Sequence, residues 1–561
     1  MKADWHELVS QPQYQTRVEK DVMVEMRDGV RLAADIYLPN AKGRFPALLS
    51  ISPYGKEMQR LPVPDFPTDT KLGNGGIESG ITDYFVSRGY VHIIADCRGT
   101  GSSKGAYGLF ARKGFEDGYD LIEWIAKKPW CDGNVGMLGI SYNAMMQYGV
   151  AALSPPHLKA IFAADAAADI YRHWAYHGGI ISLGFCQHWW PIVLAHTLEP
   201  PDIPPSELKK RIEDLKRNDD IRSFPSAYMV LLLAEKNPHL LDVLLHPYDG
   251  PFYWERSGYT KFGQIKIPTY LLTRWTSWSM HLPAAFSAYS GINAPKKMMI
   301  TIPESGAGFN RPWHEYHDLV LRWYDHWLKG IDTGIMNEPP IRILVQGINQ
   351  WRYENEWPLA RTRWTRFYLG KNMMLTETPP GATEKPDSFA NVPGLKPGKE
   401  VPAIKYATLP LNEDVEVIGP SAFYLYASLS TQDADWMVEI RDVDSSGAEK
   451  LVSMGWLKAS HREIDESKSK PYQPFHPHTR SLPGEPGKVY QYSIEIRETS
   501  MVFKAGHRIE LVIKGQDAPW EGKEYFRDVF WHLPRTKETQ HTVYHTPEYA
   551  SHLLLPIIPK Q

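Results

Sequence analysis

Between residues 45 and 164, short apolar runs alternate with helical segments, and this alternation restricts the fold more than any other feature of the chain. PALLSIS, YVHIIA, VGMLGI and LKAIFAA are near-continuous apolar runs, so each predicts a strand buried on both faces. Between them lie TDYFVSRG, GFEDGYDLIEWIAKKPW and the segment 142–153. In the second of these, Phe115, Tyr119, Ile122 and Ile125 recur at helical spacing. Such strands, separated by helices, predict βαβ units and a parallel sheet with helices on both sides. Upstream, VMVEMRDGVRLAADIYLP alternates around the turn Arg27-Asp28-Gly29 and predicts a hairpin.

The pattern changes twice. From about 170 to 262 it becomes helical, Trp-rich and punctuated by proline, as an insertion over one end of the sheet would be. Strands resume at IPTYLLTRW and KKMMITIP, and the helical segment HEYHDLVLRWYDHWLKG closes the unit. After Asn337-Glu338-Pro339-Pro340, short alternating strands dominate (IRILVQG, RWTRFYLG, SAFYLYASLS, WMVEIRDVD, YQYSIEIR, HRIELVIKG), which predicts an antiparallel sandwich or jelly roll. The expected division is an α/β unit of residues 1–169 and 263–336, a helical cap of 170–262 and an all-β unit of 337–561.

Composition excludes several classes of function. Lys and Arg number 62 and Asp and Glu 65, a formal charge of -3, so no basic field for nucleic acid or anionic lipid is implied. The three cysteines (Cys97, Cys131, Cys186) have no CxxC or metal-ligand spacing, which fits a reducing compartment. The opening MKADWHELVSQPQYQ lacks a basic-then-apolar signal pattern and no apolar run approaches membrane-spanning length, so a cytoplasmic protein is expected. Aromatic residues make up 12% of the chain, with 19 Trp and 30 Tyr. That content serves a large core and packed interfaces, or an aromatic-lined pocket.

The run MLGISYNAMM (137–146) places a Gly-x-Ser where an apolar strand turns at once into a helix. This is the arrangement of the α/β-hydrolase nucleophile elbow, with Ser141 at the bend and Gly139 and Ala144 as the small flanking residues. There, Ser141 would sit beside a helix N-terminus whose N–H groups favour a developing oxyanion. The alternative is a serine N-cap without chemistry.

The chain resembles the cocaine esterase / X-prolyl dipeptidyl peptidase / α-amino-acid ester hydrolase family. The resemblance runs through MRDGVRLAADIYLP, SPYGK, ADCRGTGSSKG, FEDGYDLIEWIAKKPWCDGNVGMLGISY, YRHWAYHGG, RWYDHWLKGIDTGI and the β-rich C-terminal part. It implies an α/β fold class: an α/β-hydrolase core, an inserted helical cap and a C-terminal jelly-roll domain. It also implies an acyl-enzyme hydrolase in which Ser141 is the nucleophile, while the Tyr142 N–H and the Tyr54 hydroxyl form the oxyanion hole. The family carries its triad acid and histidine after the last two strands. At those places this chain reads Ser277, in Arg274-Trp275-Thr276-Ser277, and Gly306, in Ile302-Pro303-Glu304-Ser305-Gly306.

A serine hydroxyl needs a base, and three readings remain open. The triad has migrated, to His281, His314 or His317, with Asp165 or Asp169 able to reach a histidine from the strand after the elbow helix. Alternatively, Ser141 serves different chemistry, with Glu304 as a general base of raised pKa. In the third, the protein binds a ligand without turnover. Each histidine, and Glu304, also has an ordinary role as a packing or surface residue.

Other motifs carry less. DCRGTGSSKG lacks the spacing of a nucleotide fingerprint, and Asp96 and Arg98 are expected to pair internally. DVDSSG (442–447) reads as a hairpin turn rather than a calcium loop. His173 and His177 stand at i, i+4 but lack a third metal ligand, so packing in the cap is expected. No cofactor or metal is implied. The expected activity is hydrolysis of a small-molecule ester, amide or peptide, with a Trp-rich cap favouring a bulky apolar or aromatic acyl group. No nucleic acid or membrane partner is expected, and assembly into a homo-oligomer is left open.

Overall fold

A computed structural model describes residues 5–60, 78–197, 203–217, 238–302, 313–381, 385–396, 398–518 and 532–560. Its first sheet has ten strands: β1 (Thr16–Glu25), β2 (Arg31–Pro39), β3 (Phe45–Ser52), β4 (Val91–Asp96), β5 (Cys131–Ile140), β6 (Leu158–Ala164), β9 (Thr269–Arg274), β10 (Lys296–Thr301), β11 (Ile341–Val345) and β12 (Gln350–Glu354). The skipped labels belong to a small hairpin, β7 (Tyr176–His177) and β8 (Ile180–Ile181). The order is β1-β2-β4-β3-β5-β6-β9-β10-β11-β12. Every neighbour from β4 to β11 runs parallel, and the antiparallel β1–β2 hairpin and β12 finish the edges.

The apolar runs explain the parallel centre. β4 is buried throughout and β5 from Val135 to Ile140, with helices packed on either side. Helix Arg112–Ala126 lays Phe115, Ile122 and Ile125 inward, while Tyr119 stays half-buried under the Arg27 guanidinium. Among the described residues, no helix is long and apolar enough to cross a membrane. The three cysteines are free and buried.

Residues 341–354 were expected in the all-β unit, but as β11 and β12 they extend the first sheet. The residue pattern alone does not say which sheet such a hairpin joins; here β11 pairs parallel with β10 and β12 antiparallel with β11. The remaining strands form an eleven-stranded C-terminal sheet from β13 (Arg363–Gly370) to β23 (His552–Ile558). Strand β23 pairs back onto β17 (Val415–Leu429), so nine of these strands close into a barrel around Phe423, Trp436, Ile494 and Leu511. DVDSSG is the expected hairpin turn between β18 (Asp435–Val443) and β19 (Glu449–Lys458). There Asp444 Oδ1 accepts from the N–H groups of Ser446 and Ala448.

Two other sequence expectations are corrected. Arg98 pairs with Asp117 and Asp28, not with Asp96. Asp96 instead accepts from the backbone N–H groups of Lys56 and Ser102, and burial pushes its carboxyl up to about 6 against those bonds. His173 and His177 do not share a helix face, because the helix Ile170–Ala175 ends before His177, which enters the hairpin turned by Gly178 and Gly179.

That hairpin docks into the C-terminal barrel. The Lys458 N–H donates to the Gly178 carbonyl (2.8 Å), and Ile180 packs with Met437 and Trp456. Asp517, half-buried, accepts from His532 Nδ1 (2.8 Å), and the buried His532 Nε2 accepts from the buried His177 Nδ1 (2.8 Å). A Cβ on Gly178, where φ is +55°, would stand 2.1 Å from the Trp456 carbonyl oxygen. Gly178→Ala is therefore expected to cost about 2–4 kcal/mol from steric overlap plus left-handed backbone, measured by urea unfolding.

Burial also holds His173 down to about 3, with Arg497, Arg172 and His281 acting in the same sense and Asp169 opposing. Its folded pKa lies below the unfolded value near 6.5, so only the unfolded chain takes up this proton between those limits. Stability is full above about pH 6.5 and falls as pH drops toward 3. In His173→Asn, whose Oδ1 can still accept from the Asp169 N–H, the slope of stability against pH between 6 and 4 should flatten by about 1.4 kcal/mol per pH unit.

Candidate active site

Strand β5 ends at Ile140 and helix Tyr142–Ala152 begins two residues later, leaving Ser141 alone at the bend with φ 56° and ψ -115°. Few non-glycine residues adopt this conformation, and it costs about 1–3 kcal/mol unless surrounding bonds impose it. Here they do. The Ser141 N–H donates to the Ala164 carbonyl at the end of β6 (2.9 Å), and the Ser141 carbonyl accepts from Met145 N–H (2.9 Å). Gly139 has φ +150°, and a Cβ on it would stand 2.1 Å from Asn143 Cβ, which explains the glycine two residues before the serine. Ser141 itself is half-buried, not sealed.

Tyr142 opens the helix, so its N–H is among those with no carbonyl one turn back. Strands β3 and β5 are parallel neighbours with Leu49 opposite Met137, and Tyr54 follows the end of β3 as Ser141 follows the end of β5. Tyr54 is buried, its ring edge-on to Tyr142 with centroids 6.0 Å apart. Its hydroxyl accepts from the Trp189 indole N–H at 2.9 Å. Trp189 lies on helix Leu183–His196 of the segment between β6 and β9. The surroundings of Tyr142 and Trp189 are aromatic: Phe110 stacks on Tyr142 at 4.5 Å, and Trp174 and Trp190 meet Trp189 edge-on at 5.4 and 5.0 Å. Burial raises the phenols of Tyr142 and Tyr107 well above 10, so both stay neutral donors.

The residues proposed as activators separate. Ser277, expected at the place of the family's acid, sits in a turn, its N–H on the Arg274 carbonyl and its own carbonyl accepting from His281 and Leu282 N–H. Gly306 and Glu304 lie outside the described residues, as does the side chain of His314, in the first turn of the helix Trp313–Lys329. His317 is drawn to Tyr84, ring centroids 4.1 Å apart. Asp169 caps the helix Ile170–Ala175 and pairs with Arg172, whose guanidinium also holds Asp249.

Asp165, at φ 45°, accepts from Thr273 Oγ1 (2.9 Å) and pairs with Arg274 at 2.8 Å. The sequence reading missed Arg274 as its partner, although a cation at the carboxyl end of a strand was visible there. His281 is brought to the same segment: its Nδ1 donates to the Ala166 carbonyl at 3.2 Å. Ala166 lies two residues past Ala164, the acceptor of the Ser141 N–H. The bond puts the imidazole hydrogen on Nδ1 and makes Nε2 the basic atom, the tautomer a serine base requires.

A family model described as X-Pro dipeptidyl-peptidase (S15 family) matches residues 28–314, and one described as the X-Pro dipeptidyl-peptidase C-terminal non-catalytic domain matches 333–554. The cocaine esterase of Rhodococcus sp. (strain MB1 Bresler) is 27% identical, the alignment covering 96% of this chain and 98% of that protein. A solved CocE/NonD family hydrolase from Staphylococcus aureus has a TM-score of 0.80 at 25% identity, covering 96% of this chain and 94% of that one. An α-amino acid ester hydrolase shares the fold, with a TM-score of 0.77 at 20% identity and coverage of 98% and 97%.

If strain at Ser141 is held for chemistry, removing it should stabilise the fold. Ser141→Gly is expected to unfold later than Ser141→Ala by about 1–2 kcal/mol, because glycine accepts the bend without a Cβ penalty. Paired urea titrations of the two variants measure the difference.

Proposed function

We propose, because this chain belongs to the X-Pro dipeptidyl-peptidase (S15) family, that it hydrolyses an ester or amide through an acyl-enzyme on Ser141. The enzyme is of the serine-hydrolase type. The observation that carries the proposal is the strained elbow, which presents a half-buried serine at the start of a helix whose first residue, Tyr142, meets the Tyr54 ring.

In this reaction Ser141 Oγ attacks the substrate carbonyl carbon and gives its proton to His281 Nε2. The carbonyl oxygen becomes an alkoxide held by the Tyr142 N–H and the Tyr54 hydroxyl. Collapse breaks the ester or amide bond, and the imidazolium returns the proton to the leaving oxygen or nitrogen. Water then repeats the sequence on the acyl-serine and releases the acid. In this role the Ala166 carbonyl replaces the usual carboxylate as the group orienting the imidazole. The Asp165 charge is taken up by Arg274 and does not serve the histidine.

The aromatic wall of Phe110, Tyr142, Trp174 and Trp189 supports a bulky apolar or aromatic acyl group. The names of the relatives, cocaine esterase and X-Pro dipeptidyl-peptidase, support an ester or a peptide as the substrate. The C-terminal barrel, read as a jelly roll, walls the site: Trp278, in the loop after β9, donates its indole N–H to the Val452 carbonyl.

A fluorophosphonate should label Ser141, located by mass spectrometry. His281→Ala should slow labelling by about 10²–10⁴-fold, the usual contribution of a general base. Labelling that survives His281→Ala but falls with Glu304→Gln would transfer the role to the carboxylate. No adduct under any condition would leave ligand binding as the function.

A further inference from the structure

We propose that Trp189 is a positioning residue: its indole N–H aims the Tyr54 hydroxyl at the developing oxyanion, so that the hole is complete only when the inserted helix is docked. The inference rests on the reading of Tyr54 as an oxyanion donor. It goes beyond that reading by making the donor's direction depend on a residue from a separate part of the chain.

The chemistry of the contact gives its direction. An indole N–H can only donate, so at 2.9 Å the Tyr54 oxygen is the acceptor. A phenol oxygen carries one hydrogen and two acceptor sites. With one acceptor site filled by Trp189, the hydroxyl hydrogen must lie in another direction. In the competing orientation it would point toward the indole nitrogen, which has no lone pair in the ring plane to accept it. A phenol that accepts a hydrogen bond is also a better donor, since the bond draws electron density from its oxygen.

The indole is held firmly enough for this task. Trp189 is buried, crossed edge-on by Trp174 at 86° and by Trp190 at 67°, and lies nearly parallel to Tyr142 at 15°. Tyr142 supplies the other oxyanion donor through its backbone. One aromatic side chain thus touches both residues that form the hole. Tyr54 follows β3, whereas Trp189 belongs to the helix Leu183–His196 between β6 and β9.

A merely structural tryptophan would fill the same space without using its nitrogen, so the test removes only the N–H. Trp189 is replaced, by site-specific incorporation, with β-(benzo[b]thiophen-3-yl)alanine, which keeps the shape but has no donor. Saturation kinetics of Ser141 labelling by a fluorophosphonate separate the binding constant from the maximal rate. The expected result is a maximal rate lower by about 10–50-fold, with the binding constant changed less than about twofold. Tyr54→Phe alone should cost more, about 10²–10³-fold.

In the Tyr54→Phe background the Trp189 replacement should have no further effect, because the group it orients is gone. An unchanged maximal rate in the wild-type background, with Tyr54→Phe still impaired, overturns the role of Trp189 and leaves that of Tyr54 standing. Equal losses in both backgrounds overturn it too, since the tryptophan then acts without Tyr54. If Tyr54→Phe labels as fast as the wild type, or if Ser141 does not label at all, the oxyanion reading falls and this proposal falls with it.

Discussion

At the carboxyl end of the sheet, the ladder hydrogen bonds run one residue past the strands, and the candidate site depends on that extension. Cys97 N–H reaches the last residue of β3, Ser141 N–H the last of β6, and Trp275 N–H the last of β10; Asp165 N–H reaches Leu272, near the end of β9. These bonds span 2.7–2.9 Å and hold the first loop residue after each strand as firmly as the strand itself. Two of these residues, Ser141 and Asp165, have positive φ. Such conformations persist only where neighbours over-determine them, and here the neighbour in each case is the adjoining parallel strand. The strain is thus a property of the sheet edge rather than of either loop.

That constraint explains which parts of the molecule could be read from the chain. The buried runs of β3 to β6, alternating with helices, predict a covered parallel sheet, so that sheet and the bend at Ser141 were legible. Gly139 is an instance of a residue whose identity states its geometry, since a Cβ there meets Asn143. What could not be read are pairings that the order of strands creates. Strand β9 lies beside β6 although more than a hundred residues intervene, and this alone brings Arg274 against Asp165 and removes that carboxylate from the list of free acids. The hairpin 341–354 carried an alternation that fits either sheet, and its true neighbour, β10, is specified by register rather than by composition. His173 and His177 looked like one helix face because their spacing is helical; the Gly178-Gly179 turn ends that reading two residues on.

The junction with the C-terminal barrel carries buried polar groups beside apolar contacts such as Ile180 on Met437 and Trp456. Arg172 holds Asp169 and Asp249 and also donates to the His476 and Pro477 carbonyls. Buried charges of this kind add little net stability, since desolvation offsets their attraction, but a misaligned partner would leave them unsatisfied. Their effect is on geometry: only one docking of the barrel satisfies the arginine, the His177–His532–Asp517 chain and the tight Gly178 turn together. The loop that carries Trp278 and His281 is pinned by the same docking, through the Val452 carbonyl. The barrel therefore constrains the loop that carries His281.

A histidine oriented by a carbonyl differs from one oriented by a carboxylate in a single respect that matters for rate. Both accept the Nδ1 hydrogen and so both select the productive tautomer, whose loss alone costs about 10⁴ in serine hydrolases that exchange the acid for an amide. The carbonyl lacks the negative charge that stabilises the imidazolium once the proton has moved. At an effective dielectric near 20, two charges about 4 Å apart attract by about 4 kcal/mol, so the carbonyl forgoes a large share of the stabilisation a carboxylate would give. In the proposed reaction Ser141 would then be a slow nucleophile in a well-formed oxyanion hole, and the donors at Tyr54 and Tyr142 would carry more of the catalysis than in a complete triad. Selection for a firmly aimed hydroxyl follows from that balance: when the base is weak, the direction of one hydrogen at Tyr54 decides more of the barrier.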